Sequence, residues 1–166
     1  MDITLRHIAD ALWKTRGDRA TEEERQRIYD RARMLRDKGL IATTNPRSQG
    51  KTMVFTEADA AAAVVAITAS LNGSSWGIIE LLNAELRTIG NTMGKPMFET
   101  FIEDIKAGVP VFARLDLIIE PWSHSVARMG YSEIRIIDLA PGTTQSLLWP
   151  VTDLTKPVLD ALEGVN

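Results

Sequence analysis

The chain has 166 residues, 45% hydrophobic and 25% charged, which suits one folded domain, or two small ones sharing a core, and argues against widespread disorder. It has no cysteine, which excludes disulfides, thiolate metal ligands and thiol redox chemistry and fits a cytoplasmic location. Net charge is -3 but unevenly divided: residues 1–51 carry 12 Lys/Arg against 8 Asp/Glu and residues 52–166 carry 7 against 14, so the basic first third points to a surface for a polyanion.

The start, "MDITLRHIAD", has no basic segment followed by a long apolar one, so a secretory signal is not expected. No apolar run approaches the roughly 20 residues that span a bilayer, so no membrane partner is expected. "ITLRHIADALWKT" sets Leu5, Ile8, Ala11 and Leu12 at helical spacing, with Asp2 or Thr4 as the cap. "TRGDRA" then reads as a turn. "TEEERQRIYDRARMLRDKGLI" is the clearest helix. Thr21 and Glu24 have capping-box spacing, Ile28, Ala32 and Leu35 form an apolar stripe, and Gly39 suits the C-terminus.

Two β-prone runs, Ile41–Thr44 and Thr52–Phe55, flank a polar loop and predict a hairpin. That loop, "NPRSQGKT", ends like a phosphate-binding P-loop. Its flanks exclude that reading, because Asn45 replaces the first glycine, Pro46 removes a backbone donor and no helix starts until Thr56. A helix capped by Thr56 then closes near Gly73. Another runs from Ser74 or Ser75 to about Gly90, with Ile78, Leu81, Leu82 and Leu86 as its stripe.

The character changes at residues 91–96. "MFETFIEDIKAG" predicts a short amphipathic helix, and "VPVFARLDLIIEP" a strand with Val111, Ala113, Leu115 and Leu117 on one face. "SEIRIIDL" predicts a second strand, with "WSHSVARMGY" as a loop or partly helical link. The chain closes with a helix from Thr152 or Asp153 to Leu162, with Pro157 in its first turns.

Helix, turn, helix, hairpin is the order of a winged helix-turn-helix, in which the second helix enters the major groove and the wing meets phosphates or the minor groove. From "RMLRDKGLI" through the hairpin to "VFTEADAAAAVVAITASLNGSSWGIIELLNAEL", the chain resembles the MerR-like winged helix-turn-helix family over about residues 3–88. "LNGSS" resembles that family's junction between its later helices. The family's usual arginine falls on Arg33, and its aromatic pair on Met34 and Leu35. The resemblance implies a DNA-binding regulator, here a divergent one.

The expected fold class is therefore α+β, mainly helical. Residues 1–90 would form the winged helix-turn-helix with supporting helices. Residues 95–166 would form an α+β region for dimerisation or for a small-molecule or protein effector. The recognition helix would span about 21–38 and the wing about 41–55. Gln26, Arg27 and Arg31 are expected to touch base edges, since Gln and Arg suit adenine and guanine. Arg33 and Arg36 are expected on phosphate, Arg16 and Arg19 in the turn on the backbone, and Arg47, Ser48, Gln49 and Lys51 in the wing on the backbone or minor groove. The plainer alternative is a solvated face held by pairs such as Glu23–Arg27.

The expected partners are double-stranded DNA and a second copy of the chain. Two histidines, His7 and His124, make no metal site, and "EPWSHS" lacks the surroundings of a catalytic triad. No cofactor and no enzymatic activity are expected. The alternative is a protein-interaction module that reuses the winged fold.

Overall fold

The computed structural model describes residues 2–17, 20–41, 43, 52–87, 97–118, 126–131 and 143–164. The chain is mainly helical with a small antiparallel sheet. The order is α1 (Leu5–Lys14), α2 (Glu22–Asp37), α3 (Glu57–Leu71), α4 (Trp76–Arg87), α5 (Met97–Lys106), β1 (Val111–Ile118), β2 (Val126–Tyr131), β3 (Thr143–Pro150) and α6 (Val151–Glu163).

Local chemistry sets the helix limits. The Thr4 hydroxyl accepts from the His7 backbone N–H, and His7 Nδ1 accepts from that of Thr4. His7 thus serves the cap of α1. Thr56 and Asp59 form the same reciprocal box at α3. At α2 the Thr21 hydroxyl accepts from Glu24 N–H at 3.1 Å. The Glu24 carboxylate lies 3.8 Å from Arg16 instead of closing the predicted box. Gly39 and Gly73 sit at φ +71° and +88° beyond α2 and α3. There Leu40 N–H donates to Leu35 C=O and Ser74 N–H to Ala69 C=O, the six-to-one closure that favours glycine.

α3 is the central element. Its residues from Asp59 to Ser70 are all buried, and α1, α2, α4, α5 and α6 pack on it. The alanine run allows these neighbours close approach, and it explains a helix with no polar face. Ile8, Ile28, Leu35, Ile67, Ile79 and Leu82 fill the same core as Val158 and Leu159 of α6. The first and last thirds of the chain therefore share one interior, because α6 crosses both α1 and α3.

The sheet runs β2-β1-β3, antiparallel throughout. Val111, Ala113 and Leu115 of β1 are buried, as the alternation predicts. On the other face Asp116 is also buried, and it accepts from Arg114 at 2.8 Å and Ser146 at 2.6 Å. The Thr152 hydroxyl donates to Val109 C=O and accepts from Val111 N–H, which ties α6 to the start of β1.

Three sequence expectations are corrected here. Residues Val126–Tyr131, read as loop or partly helical, form β2, with Ala127 opposite Leu115 and Met129 opposite Ala113. "TTQSLLWP" is β3, a strand the sequence reading missed, and the last helix starts at Val151. In the hairpin, Ile41 lies in a bend, and Phe55 bridges to Ile3 ahead of α1. The two arms still meet, since Thr43 donates to Val54 C=O and to the Asp59 carboxylate. The "SEIRIIDL" strand lies outside the described residues.

Candidate nucleic-acid interface

α1 and α2 form a corner fixed by specific bonds. Arg25 grips Asp10 with two parallel hydrogen bonds of 2.8 and 3.1 Å, a fork geometry that sets orientation as well as distance. The Arg25 guanidinium also lies 5.3 Å from the Trp13 ring. Trp13 Nε1 donates to Thr21 C=O at 2.9 Å, which pins the end of α1 to the cap of α2. Arg6 lies over the Tyr29 ring at 5.9 Å, so this tyrosine faces α1. Asp10, Trp13 and Arg25 therefore orient α2.

The Asp10 carboxyl is held below its ordinary value of 3.8, first by the Arg25 hydrogen bond and then by neighbouring positive charge working against burial. A carboxylate lowered in this way contributes its stability above its unfolded value. That stability is lost as pH falls through the lowered one. Asp10→Asn should therefore narrow the gap in thermal midpoint between pH 7 and pH 3. An unchanged gap, measured by circular dichroism, counts against this role.

Ile28, Ala32 and Leu35 form the buried face of α2, and Arg27, Met34 and Lys38 are exposed. Arg27, Arg31, Met34 and Lys38 follow one helical row at i, i+4, i+7 and i+11. Among the described residues no carboxylate forms an ion pair with Arg27, Arg31 or Lys38. The expected Glu23–Arg27 pair is thus not formed. Lys38 and Arg31 instead lie 5.1 and 6.0 Å from the ring of Trp76, the first residue of α4.

The neighbouring row is mixed. Gln26, Asp30, Arg33 and Asp37 repeat the same spacing one residue earlier. The Gln26 amide donates to Asp30 at 3.0 Å, and Arg36 donates to Asp37 at 2.6 and 2.9 Å. Arg33 is exposed. Of the predicted contacts on α2, Arg27 and Arg31 share a row, Gln26 and Arg33 lie on the next, and Arg36 is occupied by its neighbour. Arg16 is half-buried beside Glu24. Arg19, Arg47, Ser48, Gln49 and Lys51 lie outside the described residues.

The sequence alone did not place Lys38 and Trp76 at this face. Lys38 was legible as the fourth member of the Arg27 row. Trp76 carried no local signal, since the turn after α3 brings it to α2.

A hollow lies between the Ile3–Phe55 bridge and α6. It is a cleft of about 350 Å³ lined by Ile3, Phe55, Thr56, Leu159, Leu162 and the carboxylates Glu57 and Glu163. Lys106 pairs with Glu57 at 3.1 Å and Glu163 at 3.3 Å, linking α5, α3 and α6. The Glu57 hydrogen bond, followed by that of Glu163, raises the Lys106 ammonium above its ordinary value.

Among the described residues no helix is long and apolar enough to cross a membrane. Comparison with protein-family models, curated proteins and solved structures finds no match to this chain.

Proposed function

We propose that the protein is a sequence-specific DNA-binding regulator of the winged helix-turn-helix type, a divergent relative of the MerR-like proteins. The observation that carries this reading is the row Arg27, Arg31 and Lys38, exposed at Arg27 and Lys38 and half-buried at Arg31, with no ion-pair partner among the described residues. The bonded corner of α1 and α2 and the bridge of Phe55 to Ile3 support it as well. α2 enters the major groove, with Arg27 leading and Arg31 beside it. Arg47 and Lys51 of the wing loop meet backbone phosphates. The acidic remainder faces away from DNA. A homodimer follows from energetics, because one short helix reads few base pairs and two half-sites double the contacts. The cleft lined by Phe55, Thr56 and Leu159 is the proposed effector site.

The test is binding of the full chain to sheared genomic DNA at two salt concentrations. Affinity that falls steeply with salt supports the reading, and its absence at both concentrations overturns it. Sequencing of the recovered fragments should yield paired half-sites.

A second reading, a protein-interaction module on the same fold, draws on Asp30 and Asp37, which place acid beside the cationic row. It also draws on Leu148, 48% exposed on β3. This reading holds if Arg27→Glu/Arg31→Glu leaves a partner complex intact and the wild type never binds DNA.

A further inference from the structure

Trp76 leaves 37% of its surface exposed where α4 begins. Its ring carries two cations, one from the middle of α2 and one from just beyond its end. A ring face attracts a cation without satisfying its N–H donors. Two like charges drawn to one ring also repel each other, so an anion between them lowers the energy of both. Met34 of the same row, 43% exposed, adds an apolar surface next to these donors.

We infer that Arg31, Lys38 and Trp76 form a backbone-phosphate clamp that extends the DNA interface from α2 onto the start of α4. The inference rests on the DNA-binding reading above. Lys38 and Arg31 donate to phosphate oxygens of one strand. Trp76 is a positioning residue, because its ring limits how the two long side chains can move and so lowers the ordering cost of the contact. The clamp reads no sequence. It sets the depth and register at which Arg27 meets the bases.

The experiment measures binding of the full chain to mixed-sequence duplex DNA across a salt series. Lys38→Gln should lower the slope of log affinity against log salt by about 0.9, the loss of one phosphate contact. Its thermal midpoint should match wild type, because Lys38 is exposed. Trp76→Ala should lower the slope by at least as much, and Trp76→Phe, which keeps a ring, should restore most of it. If Trp76→Ala fails to fold, Lys38→Gln carries the test. A wild-type slope in Lys38→Gln overturns the clamp and leaves the DNA reading standing. A slope lost equally in Trp76→Phe and Trp76→Ala overturns the platform role. A wild-type protein with no salt-dependent binding overturns both the clamp and the reading beneath it.

Discussion

Reversing Arg27 and Arg31 together to Glu is expected to weaken duplex DNA binding by about a hundredfold or more. Each Arg contact to a base edge contributes about 1–3 kcal/mol, and about 1.4 kcal/mol is a factor of ten. Two such contacts already reach a hundredfold near the lower end of that range, and the new carboxylates add repulsion. The fold should survive, since neither arginine has an ion-pair partner among the described residues whose loss would strand a charge. Arg31 does give up its place over the Trp76 ring, a contact of about 0.5–1 kcal/mol at an exposed site. Equal affinity of the double variant and the wild type, at matched thermal midpoints, would remove α2 from the interface.

Ile67→Ala is expected to be the most damaging single truncation to stability. Ile67 is fully buried on α3, the helix on which five others pack. Removing its branched side chain leaves a cavity that the surrounding helices cannot all close at once, at a cost of about 2–5 kcal/mol. For a chain of this size the thermal midpoint should fall by on the order of 10 °C. A loss under 1 kcal/mol in denaturant titration would mean that α3 can shift to fill the space, and would contradict its central position.

These two changes separate surface from core. Arg27→Glu/Arg31→Glu should weaken binding about a hundredfold or more with the fold retained. Ile67→Ala should lower stability while leaving the binding slope of the folded fraction unchanged.

Much of the helical part was legible. Thr56 with Asp59, Gly39 and Gly73 mark helix limits through bonds that span six residues or fewer, so the information lies next to the element it shapes. The buried stripe of α2 follows from spacing alone. β2 and β3 were not legible. "VARMGY" and "TTQSLLWP" have weak patterns, and a strand exists only when a neighbour supplies its hydrogen bonds, here β1 on both sides.

The candidate site divides in the same way. The sequence by itself determined that the cations would cluster on the second helix and which of them would share a row, because α2 has a regular period and one apolar side. Only the tertiary structure decided which cations remain available. Arg25 is taken by Asp10, fifteen residues away on α1, whereas Arg31 and Lys38 meet Trp76 across a gap in sequence bridged by α3. Helical period is a local property of the backbone. The partner of a charge depends on which helices pack together, and here that was set by the apolar surface of α3.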